Sequence, residues 1–455
     1  MPDILLVILA VIFVLGVAIN IHEFGHFAAA KLLGIRVEAY SFFGLGPRIW
    51  GFKRGHTDYR ISAIPLGAYV KLYGDEATAS LEGGESTGEK VPDSELYELR
   101  PPWHKLLVMI GGPLMNILLA LAIPFTSAML YGTPSMPAPV VGTETAGGAA
   151  EQAGIQKGDR IVSFGGVENP TWERIQHDSL ISPEQPIPVT VERGGQKLQL
   201  TIKPTKSDLK GNSVGQVDFE PDLGVEPVIA GEIVPESPAA QAGLQVGDRV
   251  LAFNTQTVRN GNELTAQIRE NKDAPGRILI ERNGQQQEIQ TVAKLSESDS
   301  VYRIGASFKR DEIKTREKAS FGQSVSFAFN TNLEIIRLTA KVFGQLFTGQ
   351  RSIKDAGLSS PIGIVGIIAQ VVRESGFAGL IPILALISLN LGVFNLLPIP
   401  LLDGGQIMIL GIEKALSWTG RSLSLVVKER IQMVGLGIIL LLMIFTMSMD
   451  VLKLF

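Results

Sequence analysis

A chain of 455 residues is too long for one ordinary domain, so two or three separate cores are expected. Its residues are 45% hydrophobic and its net charge is −4, so it has no basic excess of the kind that marks a nucleic-acid binder. Cysteine is absent, which excludes disulfides, thiolate metal ligands and a cysteine nucleophile, and is compatible with any redox compartment.

Ile4 to Ile19 reads ILLVILAVIFVLGVAI, and with its continuation the stretch Leu5 to Ala30 exceeds the roughly 20 apolar residues a helix needs to cross a bilayer core. The start, MPDILLV, lacks a basic n-region and the run is too long for a signal peptide, so a retained anchor is expected. At its far end NIHEFGHFAAAKLL sets His22, Glu23 and His26 where a bilayer offers little to an ionisable group. On a helix, positions i and i+4 share a face, so the two imidazoles can grip one ion with Glu23 beside them. The bland alternative is two interfacial histidines satisfied by water, which leaves the accompanying carboxylate unexplained.

Between this span and the next, PRIWGF, DYRISAIP and AYVKLYG read as short strands separated by Lys53 to Thr57 and by Pro65-Leu66-Gly67. As a cytoplasmic hairpin they would be unremarkable. Folded back into the membrane against the metal motif, they could line a watery cavity and pair with an extended peptide. A second span follows from Leu106 to Tyr131. It contains GGPLMN, whose small residues permit close helix approach and whose Asn116 can hydrogen-bond across helices, so Gly112 and Asn116 read as packing residues.

The middle of the chain repeats. AAEQAGIQKGDRIVSF from Ala149 matches PAAQAGLQVGDRVLAF from Pro238, and VERGGQ from Val191 matches IERNGQ from Ile280 at the same offset. Each copy joins alternating apolar strands, a short helix and a Gly-Asp turn. The two resemble bacterial-type PDZ domains over Pro137 to Pro204 and Pro227 to Lys294. Each would offer a groove to an extended peptide segment, unless the fold is used here only as a spacer or gate.

Phe321 to Phe347 is apolar at helical spacing but interrupted by Asn332, Glu334, Arg337, Lys341 and Gln345, which predicts an amphipathic helix, continuous or broken, lying on the membrane. SPIGIVGIIAQVV from Ser360 is too short to span alone. Third and fourth spans are predicted from Phe377 to Leu402 and from Ile431 to Met449. Lys and Arg cluster between spans one and two and recur at Lys414, Arg421, Lys428 and Arg430, so both those loops are expected in the cytoplasm and the repeats outside. Spans one and three then run the same way. NLLPIPLLDGGQ brings Asp403 to the depth of the histidines, with Pro398, Pro400, Gly404 and Gly405 breaking the helix so the carboxylate can turn. Asp403 as a simple helix cap is the alternative. His56, His104 and His177 sit at no ligand spacing.

HEFGH in span one, LDGG at the end of span three and PDZ-like units between spans two and three resemble the site-2 protease family of intramembrane zinc metalloproteases, in its tandem-PDZ form. The resemblance covers nearly the whole chain. It implies a multi-domain α+β membrane protein with four transmembrane helices, a membrane-reentrant β-sheet and two tandem PDZ domains. The blocks are 1–35, 36–103, 104–132, 133–206, 223–296, 315–375, 376–404 and 405–455, in the order span one, sheet and loop, span two, first PDZ, second PDZ, amphipathic helices, span three, then loop with span four. It further implies Zn2+ held by His22, His26 and Asp403, with Glu23 as the catalytic carboxylate. Substrate contacts fall at Tyr69 in the sheet and at Asn395, which could instead merely bridge helices. The expected setting is a bacterial inner membrane, with lipid around the spans, PDZ domains in the periplasm and the site near the cytoplasmic side. Its partners would be single-span membrane proteins such as an anti-sigma factor already trimmed outside, and remnant signal peptides. The alternatives are a membrane zincin whose third ligand is a downstream glutamate, and a non-proteolytic PDZ scaffold or holdase.

Overall fold

The computed structural model describes residues 2–452 apart from 65–66, 75–90, 135–137, 146, 210–211, 297–300, 310–315, 352–359, 419 and 421–422. Pro65 and Leu66 of the predicted turn, and Arg421 of the basic cluster, lie outside the described residues. The chain mixes helix and sheet in two units, one of Met1–Leu130, Ala319–Ile336 and Leu358–Phe455, the other of Tyr131–Lys318 and Arg337–Gly357.

Among the described residues, four helices are long and apolar enough to cross a membrane: Ile4–Leu32, Pro102–Tyr131, Phe377–Asn395 and Val426–Ser448. Helix α1 (Pro2–Leu32) is followed by strands β1 (Val37–Phe43), β2 (Leu45–Arg54), β3 (Thr57–Ile64) and β4 (Tyr69–Leu72), then by helix α2 (Pro102–Tyr131). The sheet order is β2-β3-β1-β4, with β1 parallel to β3 and antiparallel to β4. Consequently β4 is an edge. The inner strand β1 is almost wholly buried, and its Tyr40 stacks on Phe27 of α1 at 4.8 Å, which ties the sheet to the motif helix. Ala30, Ile35, Val37, Leu72, Val108 and Met109 form the shared core of α1, the sheet and α2.

Helices α1 and α2 touch backbone to backbone. A Cβ on Gly25 would lie 2.1 Å from the carbonyl oxygen of Gly111, so only glycine fits the middle of HEFGH.

The third span ends earlier than the sequence suggests. Its helix, Leu380–Asn395, stops because Pro398 and Pro400 have no N–H to continue it. The chain turns through Leu401, which takes a positive φ of 90°, and a new helix begins at Asp403 and runs to Ser417. Gly404 and Gly405 lie against this turn; a Cβ on either would sit within 2.3 Å of the carbonyl of Leu396 or Ile399. The amphipathic stretch is one continuous helix, Phe321–Phe347, and the next, Pro361–Ser375, is capped by the hydroxyl of Ser360.

In the second unit the repeat is visible in three dimensions. Arg193 reaches back to Asp159 at 2.7 Å in the first copy, and Arg282 reaches Asp248 at 2.6 Å in the second. Each arginine also donates to a main-chain carbonyl at the matching position, Gly154 or Gly243. The Gly-Asp turn and the later Glu-Arg of each repeat are therefore halves of one clamp. Burial pushes Asp159 up, but Arg193 and the N–H of Gln156 outweigh it and hold the carboxyl below its usual range. Separate cores sit behind the two clamps, one around Phe164, Ile175 and Val191, the other around Phe253, Leu264 and Ile280.

Candidate metal centre

One turn of α1 separates His22 from His26, and their Nε2 atoms lie 3.2 Å apart. Asp403, at the start of its helix, approaches from the opposite side, with Oδ2 3.2 Å from His22 Nε2 and Oδ1 3.6 Å from His26 Nε2. Among the described residues this is the group of His and carboxylate side chains whose donor atoms converge as a metal site, all within 4.8 Å of one another. Glu23 lines the same cavity of about 360 Å³, along with Val70, Leu391, Asn395 and Gln406.

The donor set fits a divalent ion. His26 Nδ1 lies 2.8 Å from the carbonyl oxygen of Val108, which can only accept, so the proton sits on Nδ1 and Nε2 offers a lone pair to the cluster. Asp403 Oδ2 is buried and accepts no hydrogen bond. Gly112 leaves the space open, since a Cβ there would stand 2.3 Å from His26 Nε2. Two imidazole nitrogens and one carboxylate, with an adjacent glutamate, make the donor chemistry of a catalytic zinc site that keeps an open position.

Other expectations fall differently. Asn395 is brought in, its Nδ2 3.4 Å from His22 Nε2. Tyr69 is not in the cavity wall: its side chain is buried and lies under the guanidinium of Arg60, while its neighbour Val70 faces the site. Asn116, read from sequence as a packing residue, sits with Nδ2 3.3 Å from His22 Nδ1. The spacing from Gly112 to Asn116 carried that signal, because it puts the glycine cradle and the amide on one face of α2.

A cleft also lies between a helix of each repeat and a segment that follows that repeat in the chain. The first, about 450 Å³, lies between the helix Trp172–Leu180 and Gly215 to Phe219. The second, about 490 Å³, is walled by Thr265, Ile268 and the segment Val301 to Phe308.

A two-histidine, one-aspartate donor set beside a glutamate, held among helices apolar enough to cross a membrane, fits a membrane metallohydrolase. Comparison with known proteins gives the particular class. The description of peptidase family M50 matches residues 10–442, and the chain belongs to that family. It is 32% identical to Protease RseP of Yersinia pestis over 440 residues, covering 91% of this chain and 92% of that one. It is 30% identical to Regulator of sigma-E protease RseP of Escherichia coli K12 over 427 residues, covering 88% and 89%. Against Regulator of sigma E protease of Haemophilus influenzae the identity is 28% over 467 residues, covering 97% and 98%. The protein is thus an intramembrane zinc metalloprotease of the site-2 type.

Proposed function

We propose that His22, His26 and Asp403 hold the zinc, that Glu23 is the general base and acid, and that the enzyme cuts an extended segment of a single-span membrane protein. The observation that carries this reading is the convergence of the three donor atoms within 4.8 Å, with Glu23 on the wall of the same cavity. Zinc bound there would supply Lewis acidity, polarising a carbonyl and making water more acidic. Glu23 takes a proton from water as that water attacks the carbonyl carbon. It then passes the proton to the departing nitrogen as the C–N bond breaks. Asn395, beside the histidines, donates its amide to the substrate carbonyl or to the oxyanion that forms from it.

A peptide bond inside a helix is shielded by its own hydrogen bonds, so the substrate must be unwound. Strand β4 supports a means: it is an edge of its sheet, and Val70 and Leu72 face the cavity. A substrate strand added there is held through its backbone, whatever its side chains. In this reading Tyr69 acts through β4, packed between the sheet and Arg60. The hairpin of β2 and β3 exposes Ile49, Trp50, Phe52 and Ile64, which supports a sheet that re-enters the membrane.

The charge pattern supports the orientation of the setting we propose. We place four spans in a bacterial inner membrane, the cleavage site toward the cytoplasmic end and the repeats outside, as blocks 133–206 and 223–296 of PDZ type. Their matched Asp–Arg clamps support that assignment, and the strand that walls each cleft follows its block in the chain. They act as a size filter that admits substrates already trimmed outside and take peptide segments in their clefts. Because relatives carry the name regulator of sigma-E protease, an anti-sigma factor is the substrate class proposed, with remnant signal peptides second.

The test compares wild type with Glu23→Gln on a model single-span substrate, with zinc content measured in parallel. A protease loses cleavage and keeps zinc. A scaffold keeps its activity, and a zincin with a different third ligand keeps its metal when Asp403 becomes Ala.

A further inference from the structure

The two histidines are held in different ways. His26 Nδ1 faces a carbonyl, which fixes its proton there. His22 Nδ1 faces a side-chain amide, Asn116, and an amide can present either a donor or an acceptor. The choice decides whether His22 can be a ligand at all. With the NH2 group toward the ring, at 3.3 Å, Nδ1 is the bare nitrogen and the ring proton sits on Nε2. That proton points into the cluster, toward the bare Nε2 of His26 at 3.2 Å. It suits a site without metal, because it gives the His26 Nε2 lone pair a donor, and it blocks ligation. With the amide oxygen toward the ring the proton moves to Nδ1, and Nε2 offers a lone pair.

A buried amide can turn over only if its other end is satisfied both ways. Asn116 and Ser388 are both fully buried. Ser388 Oγ lies 3.2 Å from Asn116 Oδ1 and 3.0 Å from the main-chain oxygen of the same residue. A hydroxyl both donates and accepts. In the first orientation it donates to Oδ1. In the second it accepts from Nδ2 and donates to the main-chain oxygen. Neither orientation leaves the amide unmatched, which a carbonyl or an apolar residue at position 388 could not achieve.

We propose that Asn116 and Ser388 form a positioning pair that selects which nitrogen of His22 carries the proton. The amide presents its NH2 group to the ring in the metal-free site and its oxygen in the loaded one. Both residues act through His22 and touch neither substrate nor reacting atoms. The inference rests on the reading of His22 as a zinc ligand.

Two measurements on the full-length protein in detergent test it. The first is zinc affinity by competition with a chelator. Asn116→Ala should lose about 10- to 100-fold, the usual cost of removing such an outer partner. Asn116→Asp, whose carboxylate only accepts, should stay within about threefold of wild type or bind more tightly. Ser388→Ala should fall between the two. The second is the 15N spectrum of the His22 ring in the wild type, which needs no variant to fold: protonation should move from Nε2 to Nδ1 on adding zinc. The inference is overturned if the Asp variant binds as weakly as the Ala variant, if all three variants match wild type, or if the same ring nitrogen stays protonated throughout. Wild-type protein that takes up no zinc would instead overturn the metal-site reading, and this inference with it.

Discussion

Gly25 is the residue of HEFGH with no chemistry of its own, and replacing it with alanine tests how tightly the helices set the site. The added Cβ would meet Gly111 O at 2.1 Å, Gly111 C at 2.5 Å and Gly112 Cα at 2.8 Å, all of them backbone. Real Cβ atoms essentially never approach closer than 3.0 Å, so α1 and α2 must part by about 1 Å. His22 and His26 flank Gly25 and move with α1, whereas Asp403 belongs to a different helix. Ligand distances must hold to about 0.2 Å, and a misplacement near 1 Å costs about 100-fold in rate. Gly25→Ala should therefore weaken zinc binding by about 100-fold and cut cleavage of a single-span substrate at least as much. Gly16→Ala on the same helix is the control. Its Cβ would meet the tip of the Phe43 ring at 2.9 Å, which can swing aside, so it should behave as wild type. Chelator competition and a gel-based cleavage assay read both variants. Gly25→Ala holding zinc as tightly as wild type would refute the claim that backbone contact between α1 and α2 positions the ligands.

Glu23→Gln should keep stoichiometric zinc and lose about 10²- to 10⁴-fold in cleavage rate, checked by metal analysis beside the same assay. In the second unit burial pushes Glu263 up, but Arg259 and Lys157 outweigh it and hold the carboxyl at about 2. Its folded value is thus below the unfolded one, so its stabilisation of up to about 3 kcal/mol is complete above about pH 4.5 and is lost as pH falls through about 2. Hydrogen exchange of the helix Gly261–Asn271 should quicken across that window, and less so in Lys157→Ala, which has less to lose. Asp178 is buried and receives Arg174, Arg337 and Lys341 at 2.5, 3.2 and 2.9 Å. Asp178→Asn leaves three cations facing a neutral group, so amides from 337 to 351 should lose about 3–5 kcal/mol of protection in exchange mass spectrometry. Unchanged protection there would sink the idea that this carboxylate pins the segment.

Much of the site was legible because its spacing is dictated by geometry. His22 and His26 stand one helical turn apart, and Pro398, Pro400 and the glycine pair announce where Asp403 leaves the apolar run. The repeat was legible for the same reason, since the Gly-Asp turn and the Glu-Arg pair recur at one offset and close into the same clamp. What the sequence hid depends on side-chain direction. Tyr69 and Val70 are neighbours on a strand and point to opposite faces, and nothing in AYVKLYG says which face meets the cavity. Asn116 shares a face of α2 with Gly112, but that spacing alone does not show its contact with His22, which requires α1 and α2 to close to backbone distance at Gly25 and Gly111. The early end of the third helix at Asn395 was blurred by the apolar residues Leu396, Leu397 and Ile399, which continue the hydropathy but not the hydrogen bonds.

X-ray absorption at the zinc edge on wild type and Asp403→Ala asks most directly which side chains hold the zinc. Wild type should show nitrogen and oxygen neighbours at about 2.0–2.1 Å with an imidazole scattering pattern, and the Ala variant should lose its metal to a chelator that leaves wild type loaded. An Asp403→Ala protein that keeps its zinc with an unchanged coordination shell would contradict the assignment.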